Sequence, residues 1–158
     1  MGIVSAERDQ RITRMRVPYL FTVFTWTVPG QPIPAPRLTQ ASAHHAHIPK
    51  GYYAFKDRVR ASLLDAYCTE TLLATNCVAY GWPFRFAEGR SNAVAICEYA
   101  LWMATAKTGT CRHGDPDNIA KAILDALFGD DRHVLPRCTS LTCGGQEPRV
   151  EITVTLLD

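Results

Sequence analysis

A short acidic helix constrains the fold of this chain more than any other feature of its sequence. The segment from Gly114 to Val134 reads GDPDNIAKAILDALFGDDRHV and contains five aspartates and one lysine. Asp115 is suited to the N-cap, Pro116 to the first helical turn and Gly129 to the C-terminal stop. The spacing between these residues predicts one buried helix face, formed by Ile119, Ala122, Ile123, Ala126 and Leu127.

A second face of this helix carries charge. Asp117, Lys121 and Asp125 are spaced four apart and therefore lie on one side, and the pair Asp130-Asp131 follows the helix directly. Grouped carboxylates repel one another, and oxygen ligands without histidine or cysteine suit Mg²⁺ or Mn²⁺. A nearby lysine could hold a phosphate, which completes the parts for metal-assisted phosphoryl chemistry. The alternative is a solvated helix start with an ordinary ion pair.

The acidic segment resembles the signature of the RusA family of Holliday-junction resolvases, small and often phage-encoded Mg²⁺-dependent endodeoxyribonucleases. The family pattern is D-x-D-N-x-x-K-x-x-x-D-A-L followed by a D-D pair, and every element of it is present here. The resemblance implies that Asp115, Asp117 and Asp131 bind the metal ion, which is Mg²⁺, with Mn²⁺ as the alternative. It also implies an essential basic role for Lys121.

Three neighbouring residues are expected to support this site. Asp130 is an alternative metal ligand to Asp131, because adjacent carboxylates are hard to separate from sequence. Asn118 is expected to orient a carboxylate or to cap the helix. Asp125 is expected to support Lys121 from one turn away, and the alternative is that it joins the site. The ion pair is worth only ~0.5 kcal/mol if it is exposed.

Positive charge is concentrated in the first part of the chain. Residues 1–60 hold nine Lys or Arg against three acids, a net charge of +6, which leaves −4 for the rest of a chain of net charge +2. A basic part could lie along a DNA backbone, although solubilising surface charge is an equal alternative. The candidate DNA-binding residues are Arg37, Lys50, Lys56 and Arg60. The resemblance adds branched DNA as the partner and a homodimer as the assembly.

The length of 158 residues predicts one domain with a substantial core. We expect residues 1–18 to form a flexible basic arm and residues 19–158 to form the nuclease domain. No apolar run reaches the length of a membrane span, and the charged N-terminus does not look like a secretion signal. These features predict a cytoplasmic protein without membrane contact.

The pattern along the chain predicts an α+β fold, with two main helices packed on a small mixed or antiparallel sheet. The expected buried face of the first helix contains Phe55, Val59, Leu63 and Ala66. We expect the strand over Ala93–Ala104 to be covered on both faces, by helices or by another subunit. A helix is the competing interpretation of this segment. The expected elements are strand Tyr19–Val28, helix Tyr53–Tyr67, strand Ala93–Ala104, the acidic helix, a strand within His133–Cys143 interrupted at Pro136, and strand Arg149–Leu157.

Six cysteines and a histidine-rich loop raise other possibilities. Because nothing indicates export, we expect reduced thiols. A zinc site from Cys111, His113, Cys138 and Cys143 lacks any C-x2-C pair, and His44, His45 and His47 lack partners at a suitable spacing.

Three functions remain open. The first is a metal-dependent endonuclease that resolves four-way junctions during DNA recombination and repair. The second is a nuclease that prefers other branched or duplex DNA, and the third is a branched-DNA-binding protein without cleavage. The intact set Asp115, Asp117, Lys121 and Asp131 favours the two nucleases, because a protein that only binds DNA could have lost these residues.

Overall fold

Four strands and two helices make up the part of the chain that the structure describes. This computed structural model describes residues 23–36, 48–67, 84, 95–105, 109, 115–128 and 131–157. The element order confirms the expected α+β arrangement. The elements are β1 (Val23–Pro29), α1 (Tyr52–Ala66), β2 (Ala95–Met103), α2 (Pro116–Leu127), β3 (Val134–Cys143) and β4 (Arg149–Leu156).

The strands form one mixed sheet in the order β1-β4-β2-β3. β4 pairs antiparallel with both β1 and β2, whereas β2 pairs parallel with β3. The parallel pair needs a crossover connection, and the acidic helix α2 lies within that connection. Along the chain, α2 therefore follows the inner strand β2 and precedes the edge strand β3. The polar face of α2 is exposed at Asp117 and Lys121.

The hydrophobic core lies between the helices and one face of the sheet. Alternate residues of β1, β2 and β4 are buried, as the period of two requires. α1 contacts β1 and α2, and α2 contacts β3. The second face of β2 is half-buried in the single chain. The described helices meet the opposite face, so cover of this second face by another subunit stays a prediction.

β3 runs through Pro136 without a break, so the expected interruption there is wrong. Among the described strands β3 lies at the edge of the sheet and pairs only with β2. A proline lacks the backbone N–H that a central strand needs, but an edge strand tolerates that loss. Every residue of β3 after Val134 is exposed, which agrees with the edge position.

The first helix follows its predicted pattern except at its last turn. Phe55, Val59 and Leu63 are fully buried, but Ala66 is exposed, contrary to expectation. The helix ends at Ala66, and the next residue, Tyr67, has extended backbone angles. The Tyr67 hydroxyl donates to the Thr25 carbonyl at 3.2 Å and accepts from the Thr25 N–H at 2.9 Å. These bonds hold the C-terminal end of α1 against β1.

The burial of Phe84 differs from what the sequence predicts for the segment before β2. The sequence predicts a turn or an exposed loop over Gly81–Asn92, yet Phe84 is fully buried and its N–H donates to the Leu127 carbonyl at 2.9 Å. Its ring packs against those of Phe24 and Phe128, and so covers the C-terminal end of α2. The other residues of that segment, the N-terminal arm 1–18 and the histidine cluster His44–His47 lie outside the described residues.

The cysteines differ in state. Cys143 forms a disulfide whose partner lies outside the described residues, so the expectation of reduced thiols is wrong at this position. A disulfide sulfur is not a thiolate ligand, which also removes Cys143 from the alternative zinc site. Cys97 and Cys138 are free thiols. Burial raises the pKa of Cys97 to about 12 and makes it inert at neutral pH.

Candidate active site

Two aspartates lie together in the first turn of α2. Asp115 is the N-cap, and its Oδ1 accepts a hydrogen bond from the Asp117 N–H at 3.2 Å. Pro116 occupies the first turn, where its missing N–H is of no consequence. Asp115 is half-buried and Asp117 is exposed. The helix start therefore presents two carboxylates within one turn, and the capping bond holds that of Asp115 in place.

Tyr99 of β2 supports this first turn from below. Its side chain is 3% exposed, and its hydroxyl donates to the Pro116 carbonyl at 3.3 Å. Burial raises the pKa of Tyr99 to about 12, and electrostatic interactions with Cys138 and Asp117 add to the shift. The hydrogen bond from Tyr99 to the Pro116 carbonyl anchors the N-terminus of the acidic helix to the sheet. Sequence analysis did not identify Tyr99, although a buried tyrosine requires a partner for its hydroxyl.

Lys121 lies one turn further along the polar face. Its Nζ is 3.4 Å from Asp125 Oδ1, which confirms the expected ion pair. The Lys121 side chain is 58% exposed and that of Asp125 is 28% exposed. Asp125 also accepts a hydrogen bond at its Oδ2 from the Tyr52 hydroxyl of α1, at 3.1 Å. The lysine is thus free to meet a ligand at its solvent side while its carboxylate partner is held from a second helix.

The buried face of α2 fixes the direction of this polar face. Ile119, Ala122 and Ile123 are fully buried, as the spacing predicts, and so are Ala126 and Leu127. The backbone N–H of Ala35 donates to the Asn118 carbonyl at 2.9 Å. This bond brings the proline-rich segment after β1 to the start of α2. Arg37, two residues further, lies outside the described residues.

Asp131 follows α2 and precedes β3. Its carbonyl accepts the Val134 N–H at 3.0 Å, and Asp130 lies outside the described residues. Among the described residues, no three His, Cys, Asp or Glu side chains form a group that could hold a metal ion. Asp115 and Asp117 are brought together, but Asp131 does not join them in such a group. The metal-binding role of all three residues stays a prediction.

The donor set of the helix start nevertheless has the chemistry that Mg²⁺ requires. Mg²⁺ commonly binds proteins through one or two carboxylates and keeps water or substrate phosphate as its other ligands. Asp115 and Asp117 provide two such carboxylates within one turn. The residues therefore fit Mg²⁺ in kind, with the remaining positions open to water and phosphate.

The candidate DNA-binding residues differ in their contacts. Arg60 Nε donates to the Ala126 carbonyl at 2.8 Å, and its guanidinium lies 3.7 Å from Asp57, so Arg60 connects α1 to the last turn of α2. The Lys56 ammonium lies over the Tyr52 ring, 5.2 Å from its centre. Lys50 is exposed immediately before α1. Their contacts with DNA remain predictions.

Arg58 was not singled out by sequence analysis and has a structural role. It donates to the Pro29 carbonyl at 3.2 Å and to the Gln31 carbonyl at 3.0 Å. These two bonds connect α1 to the end of β1. Nothing in the local sequence distinguishes Arg58 from Lys56 or Arg60, because the carbonyls that it meets belong to a distant segment.

A family model for the RusA endodeoxyribonuclease matches residues 29–155, which is most of the chain. No curated protein matches the sequence. No helix among the described residues is long and apolar enough to cross a membrane. The matched range includes α1, both carboxylates at the start of α2, Lys121, β2, β3 and all but the last residue of β4. The chain belongs to the RusA endodeoxyribonuclease family.

Proposed function

We propose that this protein is a Mg²⁺-dependent endodeoxyribonuclease that resolves four-way DNA junctions during recombination and repair. The single observation that carries the proposal is the joint placement of Asp115 and Asp117 in the first turn of α2, with Lys121 on the next turn. Family membership supports the nuclease chemistry. The junction as the substrate rests on the resemblance of the acidic segment to resolvases.

Each residue has a defined task in this mechanism. Asp115 and Asp117 would hold Mg²⁺ or Mn²⁺, with Asp131 or Asp130 as a further ligand, and the ion would supply an activated water and neutralise phosphate charge. Lys121 binds an oxygen of the scissile phosphate and stabilises the charge that develops there. Hydrolysis breaks the bond between phosphorus and the 3′-oxygen and leaves a 5′-phosphate.

Basic residues would orient the DNA backbone over this site. Lys50 and Lys56 lie at the start of α1, and α1 packs against α2. Arg37 would join them from the segment that Ala35 attaches to α2. Such phosphate contacts fix the position of DNA without reading its sequence, and they weaken as salt rises.

The test compares Asp117→Asn with Glu147→Gln, a matched acid-to-amide change on the exposed turn before β4. Labelled four-way junction and linear duplex are incubated with each protein, in Mg²⁺ and in EDTA. We expect paired nicks in the junction with Mg²⁺ alone. Because one metal ligand is lost, we expect Asp117→Asn to bind the junction normally and to cut it at least about 100-fold more slowly.

Other outcomes would change the assignment. Equal cutting of linear duplex would keep the nuclease and reject junction specificity. Tight junction binding without cutting by the wild type would favour the binding protein that does not cleave. Cutting by Asp117→Asn at the rate of Glu147→Gln would show that the site is wrongly assigned.

We further propose a homodimer that acts in the cytoplasm. A four-way junction presents two equivalent cleavage points related by a two-fold axis, which suits a two-fold symmetric enzyme. Sedimentation equilibrium at the concentration that cleaves junctions should give twice the chain mass of 17.6 kDa. A mass of one chain under those conditions would contradict the dimer.

A further inference from the structure

The carboxylate of Asp125 connects two helices through two different oxygens. Its Oδ1 meets Lys121 Nζ of α2 at 3.4 Å, and its Oδ2 accepts the Tyr52 hydroxyl of α1 at 3.1 Å. A carboxylate that is bound at one oxygen only can rotate about its last side-chain bond. With both oxygens engaged, rotation would break one of the two contacts, so the plane of the Asp125 carboxylate is fixed.

Tyr52 is a rigid donor for the hydrogen bond to Asp125 Oδ2. It is 6% exposed and is the first residue of α1, and its N–H donates to the Pro49 carbonyl at 3.1 Å. Its ring lies beside Tyr53, with 5.2 Å between ring centres, and beneath the Lys56 ammonium. A tyrosine has two side-chain torsions, and here both the ring and the hydroxyl have partners. The position of its oxygen is therefore determined by packing.

Lys121, by contrast, has a long flexible side chain that is mostly exposed. A free lysine ammonium samples many positions, and each rotamer lost on binding costs free energy. The fixed Asp125 carboxylate restricts those positions before any DNA arrives. The bond from Arg60 Nε to the Ala126 carbonyl, at 2.8 Å, holds α1 and α2 together one residue beyond Asp125. The distance between Tyr52 and Asp125 is thus maintained by a separate contact.

We propose that Tyr52 is a positioning residue for Lys121 and that it acts through Asp125. This inference rests on the proposed function, in which Lys121 binds the scissile phosphate. Tyr52 does not touch the substrate. It orients a carboxylate that holds the lysine ammonium at the distance from which it reaches the phosphate.

The first measurement is single-turnover cleavage of saturating four-way junction by Tyr52→Phe. The variant keeps the ring and removes only the hydroxyl. We expect the cleavage rate to fall roughly threefold to tenfold, as the loss of one hydrogen bond to a partly exposed carboxylate implies, with unchanged junction affinity. Tyr67→Phe is the matched control, because the Tyr67 hydroxyl also forms hydrogen bonds, and these go to the Thr25 backbone of β1.

A double-mutant comparison separates positioning from general damage. If Tyr52 acts through Asp125, Tyr52→Phe should slow cleavage in the wild type but cause no further loss in Asp125→Asn. If the two effects multiply, Tyr52 acts independently of Asp125 and the proposal is overturned. Equal losses in Tyr52→Phe and Tyr67→Phe would overturn it as well.

A second measurement does not depend on nuclease activity. Competitive labelling of the amines by acetic anhydride reports the reactivity of Lys121, with Lys50 as the internal reference. We expect Tyr52→Phe and Asp125→Asn each to raise the relative labelling of Lys121 about twofold or more, because the ammonium is no longer held against a fixed carboxylate. Tyr67→Phe should leave it unchanged.

These two measurements distinguish the possible failures. If the wild type does not cleave junctions but the labelling changes as expected, the proposed function fails and the positioning of Lys121 by Tyr52 stands. If Lys121 labelling in Tyr52→Phe equals that of the wild type, the positioning inference fails even in an active nuclease. Circular dichroism of each variant checks that α1 and α2 are retained.

Discussion

Asp115 combines two roles that are usually separate. As the N-cap of α2 it accepts a hydrogen bond from a backbone N–H of the first turn, and as a carboxylate it is a predicted metal ligand. Capping needs only an oxygen acceptor, which asparagine also provides, whereas Mg²⁺ binding depends on negative charge. The two roles can therefore be separated by substitution.

Asp115→Ala should lower the free energy of unfolding by about 1 kcal/mol, because the cap is lost, whereas Asp115→Asn should cost little. Both variants should lose junction cleavage, since neither has the carboxylate. Urea unfolding and single-turnover cleavage measure the two effects. Full activity of Asp115→Asn would show that the charge of this side chain is not needed and would leave it with the capping role alone.

Lys121 and Asp125 illustrate how a weak pair gains a role from its surroundings. At 58% and 28% side-chain exposure their ion pair is largely screened by water and contributes little to stability. We expect the hydrogen bond from Tyr52 to fix the geometry of the Lys121–Asp125 ion pair more than it strengthens the pair. The importance of this pair is therefore expected in the rate of cleavage rather than in resistance to unfolding.

At the scale of elements, α2 is stabilised by its buried face while its polar face is available for chemistry. Ile119, Ile123 and Leu127 are fully buried, each one turn from the next. Asp117, Lys121 and Asp125 follow the same spacing on the other side. The orientation of the acids thus depends on apolar packing that does not itself touch DNA.

Ile123→Ala should lower the free energy of unfolding by roughly 2–5 kcal/mol, because it removes buried methyl groups and leaves a cavity. Leu135→Ala is a suitable comparison, since Leu135 lies on edge strand β3 with 54% of its surface exposed. It should change stability by no more than about 0.5 kcal/mol. Urea unfolding of the two variants tests this difference, and equal effects would contradict the assigned burial of α2.

At the scale of the whole molecule, several buried groups resist ionisation. Burial raises the pKa of Tyr52, Tyr99 and Cys97 to about 12 each, and Asp125 contributes to the shift of Tyr52. In an unfolded chain, tyrosine ionises near pH 10 and cysteine near 8.5. The neutral forms therefore stabilise the folded state fully below the unfolded values, and this contribution is lost as the pH rises toward 12.

The free energy of unfolding should therefore fall as the pH rises from about 9 to 12, because each of these groups ionises more readily in the unfolded chain. Tyr99→Phe removes one of these groups and should flatten the decline above pH 10. Urea unfolding at stepped pH values measures the slope. An identical slope in Tyr99→Phe and the wild type would show that Tyr99 ionises equally in both states.

Much of the fold follows from local sequence. The acidic helix has its cap, its first-turn proline and an uninterrupted buried stripe, and its structure agrees with that pattern from Asp115 to Leu127. β4 likewise shows strict alternation, with Val150, Ile152 and Val154 fully buried. Such elements are predictable because the signals lie within a few residues of each other.

The differences from expectation arise where distant segments decide. Pro136 continues β3 because the strand occupies an edge of the described sheet. The position of a strand in the sheet cannot be read from its own residues. The burial of Phe84 depends in the same way on rings from β1 and from the end of α2.

The sequence by itself determined the α+β class, the acidic helix and the residues that could perform phosphoryl chemistry, because spacing along one helix fixes which side chains share a face. Only the tertiary structure showed that the Tyr99 hydroxyl bonds to the first turn of α2 and that the Tyr52 hydroxyl bonds to Asp125. These contacts join residues that are 17 and 73 positions apart. Their partners are selected by the packing of β2 and α1 against α2, and no local pattern of residues encodes that packing.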